Sequence, residues 1–81
     1  MVRVLVTAGE CDELTGGLRS LEVEATDLMG LVRALDARFP GLGEVMETRI
    51  SLAVDGEIAP VWAGPLRPDS EVVLIPRLGG G

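Results

Sequence analysis

Histidine, lysine and tyrosine are absent from this chain of 81 residues, which has one cysteine, one tryptophan and one phenylalanine: Cys11, Trp62 and Phe39. A lone cysteine excludes an internal disulfide. With no histidine and a single thiol, a transition-metal site lacks its usual nitrogen and sulfur ligands, so no bound metal is expected. The missing histidine also removes the general base of a Ser-His or Cys-His nucleophilic pair, which excludes many hydrolase classes. With only two aromatic residues, the core must be built from aliphatic side chains. No apolar run approaches the roughly 20 residues needed to span a bilayer. Met1 to Ala8 alternates, where a signal peptide would show a charged region and then an apolar stretch. A cytoplasmic protein with no membrane partner is expected. Basic residues are scarce, with seven against thirteen acids and a net charge of −6. An acidic body repels phosphate backbones, so a nucleic-acid partner is not expected.

What is present is aliphatic: 47% of the chain is apolar, ample for one core and too much for a disordered segment. The length fits one domain, near the lower end of what folds without a disulfide or metal. Residues 3–7 read as a strand, with Val2, Val4 and Val6 on one face. Residues 9–17 are polar and glycine-rich and read as a loop that holds Cys11. There Glu10, Asp12 and Glu13 disfavour a thiolate, so the cysteine reads as incidental. Residues 18–25 alternate again and would pair antiparallel with the first strand.

Thr26 is placed to cap a helix from about Asp27 to Phe39. Its buried stripe would be Leu28, Leu31, Val32, Leu35 and Phe39, and Gly30 inside it costs about 1 kcal/mol relative to alanine. Pro40-Gly41 stops the helix, and residues 41–48 read as a connection. Ile50, Leu52 and Val54 mark a third strand, Asp55-Gly56 a tight turn, and residues 57–61 a short fourth strand. After a looping segment over 62–70, Val72 to Ile75 is a continuous apolar run, the mark of a central strand buried on both sides. The expected fold is therefore α+β, a β-grasp: a mixed sheet of 4-5 strands, first and last strands parallel neighbours, with one main helix packed across it. The expected organisation is a β-grasp domain over 1–77 and a flexible glycine tail over 78–81.

Gly79, Gly80 and Gly81 have no side chains to pack and are entropically expensive to order. They suit a thin thread ending in a carboxylate. From Leu78 onward an extended thread reaches about 13 Å, at roughly 3.3–3.6 Å per residue, enough to enter a channel in another protein. The terminal carboxylate, with a reference pKa of about 3.5, is ionised at neutral pH. It is a poor acyl donor until an oxygen becomes a leaving group.

The run from Ser70 to Gly81, SEVVLIPRLGGG, resembles the ending of the MoaD/ThiS family of ubiquitin-like sulfur carriers: acidic turn, apolar strand, proline, terminal Gly-Gly. The helix end Ala37 to Gly41 and the turn Val54-Asp55-Gly56 are similar to that family as well. Ile75-Pro76 brings the likeness closer to the small subunit of molybdopterin synthase than to the thiamine-pathway carrier, whereas a third glycine at position 79 departs from many members. The resemblance implies a protein co-substrate, not an enzyme. It implies that Gly81 is adenylated with ATP by a ubiquitin-activating-type adenylyltransferase (MoeB/ThiF-like), receives sulfur from a desulfurase or rhodanese, and becomes a thiocarboxylate. A larger synthase subunit (MoaE-like) would then consume the sulfur in molybdopterin synthesis. Gly80, Gly79, Leu78 and Arg77 would be the partner-docking tail, although Leu78 and Arg77 can equally serve to close the fold. No cofactor is bound by the carrier itself.

The missing lysines fit this family, because an activated glycine has no lysine on its own chain to acylate; an arginine-rich composition bias accounts for them equally well. Other readings are a carrier for thiamine, cysteine or tRNA thiolation, a modifier conjugated to target lysines, and a binding module with an inert tail. Trp62 reads as a partner contact or as a cap on the core. The acids Glu44, Glu47, Asp55 and Glu57 read as a steering patch or a solvated face.

Overall fold

Alternation in β1 (Val2–Val6) buries Val2, Val4 and Val6 and leaves Arg3 exposed. The structure, a computed structural model, describes residues 1–60 and 64–77. The other strands are β2 (Ser20–Val23), β3 (Ile50–Val54), β4 (Glu57–Ala59) and β5 (Glu71–Pro76). They form one sheet in the order β2-β1-β5-β3-β4. β1 and β5 run parallel in its middle, with Val4 opposite Val72 and Val6 opposite Leu74. The antiparallel β1–β2 pair and the parallel first and last strands are as the sequence predicts.

Three helices lie among the described residues: α1 (Asp12–Thr15), α2 (Leu28–Arg38) and α3 (Leu42–Thr48). Leu28, Leu31, Val32 and Leu35 of α2, with Leu42 and Met46 of α3, form one cluster with the inward residues of β1, β3 and β5. Each large aliphatic side chain removed from water there contributes about 1.5–3 kcal/mol, which is how an aliphatic core stabilises so short a chain.

Several sequence expectations are corrected. The cap of α2 is Asp27, not Thr26: the Asp27 carboxylate accepts the Gly30 N–H at 2.6 Å. Thr26 is held elsewhere, because its carbonyl accepts the Leu66 N–H in a short antiparallel bridge centred on Asp27 and Pro65. Phe39 packs against the same core as the stripe but is the C-cap of α2 and only half-buried, with the Arg38 guanidinium carbon 5.5 Å from its ring centroid.

The segment 9–17 is not a plain loop: a 3-10 turn over Gly9–Cys11 leads into α1. Ala8, Cys11 and Leu14 fall three residues apart, and the first two are fully buried. This spacing pulls a mostly polar segment into helical form. Residues 41–48 are likewise a helix, because Leu42, Val45 and Met46 share one face against the core. Gly41 provides no side-chain cap for α3; Asp36 of α2 takes that role, accepting the Gly41 and Gly43 N–H groups at 3.1 and 2.9 Å. Finally, β5 is central but buried on one face only. Val72 and Leu74 are buried, while Val73 and Ile75 are half-exposed on the face without helices.

Candidate functional site

The candidate site starts where β5 ends, because that strand delivers the chain to its last residues. β5 is tied on both sides there. The Leu74 carbonyl accepts both the Thr7 N–H at 2.9 Å and the Thr7 hydroxyl at 2.8 Å. On the other side, Ile75 stands opposite Ser51 and Pro76 opposite Ile50.

Arg77, the last described residue, folds its guanidinium back over the end of α3. One Nη donates to the Thr48 carbonyl at 3.3 Å; the other donates to Glu47 and Ile50, both at 3.4 Å. The last carbonyls of a helix have no partner within it and carry the negative end of its dipole, so a planar cation suits that position. A groove of about 350 Å³ opens beside Arg77, between α3 and the β3–β4 hairpin, with Met46, Ile50, Leu52, Ile58 and Ala59 in its wall.

The sheet face without helices carries an apolar row. Register places Leu5 beside Val73, Val73 beside Ala53 and Ala53 beside Ile58. Ile58 is 66% exposed, and the other members are half-buried. Ile75 lies on the same face one row nearer the end of β5.

Of the residues predicted from sequence, Arg77 is thus placed at the strand end. Leu78, Gly79, Gly80, Gly81 and Trp62 lie outside the described residues. Glu44, Glu47, Asp55 and Glu57 are all exposed. The Asp55 carboxyl is held below the usual carboxylate range, first by the backbone N–H of Glu71 and further by Arg67. Cys11 is in the core and not in a solvated loop. Burial pushes its thiol up, and Glu10 and Asp12 add to the effect, which disfavours the thiolate. No three metal-binding side chains converge among the described residues, and none of their helices is long and apolar enough to cross a membrane. Sequence reasoning missed the partners of Arg77, since they depend on α3; the spacing of Leu42, Val45 and Met46 was the available signal.

The ThiS family profile matches residues 5–81 of the chain. Among curated proteins none matches the sequence. The fold is similar to that of several solved structures. A chain of the Amycolatopsis orientalis BexX/CysO complex is 19% identical with a TM-score of 0.78, covering 100% of both chains. Mycobacterium tuberculosis CysO, an antigen, is 18% identical with a TM-score of 0.81, covering 96% of this chain and 100% of that one. SAMP1 from Haloferax volcanii is 21% identical with a TM-score of 0.66, covering 99% of this chain and 98% of that one. At these identities the likeness establishes the β-grasp fold, and the family match covers both that fold and the glycine ending: the chain belongs to the ThiS family of ubiquitin-like sulfur carriers.

Proposed function

We propose that the chain carries sulfur on the C-terminal carbonyl of Gly81. A ubiquitin-activating-type partner joins that carboxylate to the AMP moiety of ATP, releasing pyrophosphate. The outer sulfur of a persulfide on a desulfurase or rhodanese then displaces AMP to give an acyl disulfide, and a thiol cleaves its S–S bond, leaving the thiocarboxylate and a new disulfide. Gly80, Gly79 and Leu78 form the thread that enters the partner, and the chain is a co-substrate with no catalytic group of its own. The observation that carries this reading is the family match, which runs through the glycine ending to residue 81.

The apolar row Leu5, Val73, Ala53 and Ile58 offers the partner a seat that continues through Ile75 to the strand end. Burying such a row favours docking at about 25 cal/mol per Å² of apolar surface. The acceptor we propose is the molybdopterin precursor, inside a larger synthase subunit, on the strength of Ile75-Pro76. Cysteine biosynthesis is the second reading, favoured by the two CysO structures among the similar folds.

The test is the intact mass of the protein after incubation with ATP, a sulfur source and the host's activating enzyme. Replacement of one oxygen by sulfur, mapped to Gly81 and lost when Gly80 and Gly81 are deleted, is the expected result. An unchanged mass with an activating enzyme proven on its own carrier would refute it. Adding the molybdopterin precursor and the larger subunit to the thiocarboxylate then decides between the acceptors.

A further inference from the structure

Pro76 creates a weak point where the tail leaves the fold. Its backbone turns toward β1, as that of Leu74 does two residues earlier where it accepts the Thr7 N–H, yet it has no N–H to give to that ladder. A strand that loses a donor at its last residue frays from that end. On the β3 side the next residue holds the strand end through its side chain: a guanidinium N–H of Arg77 reaches the Ile50 carbonyl at 3.4 Å. The same guanidinium donates to the Thr48 and Glu47 carbonyls at 3.3 and 3.4 Å, so one side chain joins the root of the tail to both β3 and the end of α3.

From this arrangement we infer that Arg77 is a positioning residue, which pins the root of the tail and fixes the direction in which the chain leaves the sheet. The inference rests on the carrier reading for its purpose, since a thread that must find a narrow channel gains from a fixed root. Ordering the root before the encounter removes part of the entropy lost on threading. That gain is realised equally in the ground and transition states of adenylation, so it belongs in KM and not in kcat. The planar fork matters as well as the charge: it reaches three carbonyls at once, which the single ammonium of a lysine does less well.

The experiment compares wild type, Arg77→Ala and Arg77→Lys in two measurements. The first is the steady-state heteronuclear NOE of the residue 77 amide in the free, full-length protein, with Ile75 as internal reference. The second is KM and kcat for the carrier in ATP-dependent activation. In wild type the residue 77 amide should be as ordered as Ile75. In Arg77→Ala its NOE should fall well below that of Ile75. KM should rise about 3- to 10-fold, the range expected for losing exposed hydrogen bonds of ordinary strength, with kcat unchanged. Arg77→Lys should recover part of both effects.

A raised KM with an unaltered NOE would make Arg77 a direct contact to the partner and overturn the inference, as would no change in either measurement. An equal fall in kcat and kcat/KM would also overturn it. If wild type itself is never activated, the carrier reading fails, while the NOE comparison still decides whether Arg77 pins the strand end.

Discussion

Asp55 and Glu71 hold each other through a reciprocal pair of hydrogen bonds. The Asp55 N–H donates to the Glu71 carbonyl at 2.9 Å, and the Asp55 carboxylate accepts the Glu71 N–H at 2.9 Å. Asp55 takes a left-handed backbone, φ 49°, followed by Gly56 at φ 91°. Both central residues of this hairpin turn therefore have positive φ, as the Asp-Gly pair favours. The β3–β4 turn is tied in this way to the first residue of the central strand.

Because the Glu71 N–H lowers the Asp55 pKa, replacing the carboxylate should change stability in a pH-dependent way. Asp55→Asn keeps an acceptor and tolerates positive φ but loses the charge. A depressed carboxyl stabilises the fold fully above its unfolded value, near pH 4. That contribution fades as pH falls through the lower folded value. Asp55→Asn should have a lower urea midpoint than wild type at pH 7, and the gap should close progressively below pH 4. A gap constant from pH 7 to pH 2 would contradict the assignment.

One-sided burial of β5 predicts unequal effects at adjacent residues. Leu74 is fully buried, so Leu74→Ala should destabilise by about 2–5 kcal/mol, from lost transfer energy and the cavity left behind. Ile75 faces the side without helices, and Ile75→Ala should cost about 1 kcal/mol. Urea denaturation at neutral pH separates the two; equal losses would mean that β5 is enclosed on both faces.

The apolar pattern of this strand shows how far the sequence could be read. Four apolar residues in a row marked Val72 to Ile75 as central, and it is central. Yet such a run does not distinguish a second protein layer from a bare face kept apolar for another purpose. The order of strands, the parallel ends and the stripe Leu28, Leu31, Val32 and Leu35 were legible because periodicity reports directly on burial. The two short helices were not, because Ala8, Cys11 and Leu14, or Leu42, Val45 and Met46, are sparse signals within polar, glycine-bearing segments. The cap of α2 was misplaced by one residue because Thr26 and Asp27 are equally able caps; the bridge to Pro65 decides between them. At the candidate site, the fork of Arg77 depends on the end of α3, which only the sparse spacing of Leu42, Val45 and Met46 announces.

Asp27 also explains the glycine within α2. A β-carbon on Gly30 would stand 2.8 Å from the capping oxygen of Asp27. Gly30→Ala should therefore gain about 1 kcal/mol in helix propensity and lose a similar amount through the displaced cap, for a net change within about 0.5 kcal/mol. Asp27→Ala should cost about 1 kcal/mol in wild type and clearly less in the Gly30→Ala background. Thermal unfolding of the four proteins in this cycle measures the coupling; additive effects would show that the close approach is of no consequence.

Ile58, exposed at the end of the apolar row, should matter to a partner more than to the fold. Ile58→Glu should change folding stability by no more than about 0.5 kcal/mol, as usual for surface sites. It should weaken ATP-dependent activation about 10-fold or more if the row is the docking seat. Normal activation of this variant would move the partner to another surface.

The central position of β5 also sets how the fold bears load. A pull on the chain beyond Arg77, such as the proposed threading would exert, would run along a strand bonded to β1 on one side and to β3 on the other. Force in that direction shears both ladders together and does not peel their bonds open one at a time. Had the tail grown from an edge strand such as β2 or β4, the same pull could unzip a single ladder from its end. The strand that ends at Arg77 is thus a line braced from both sides among the described residues.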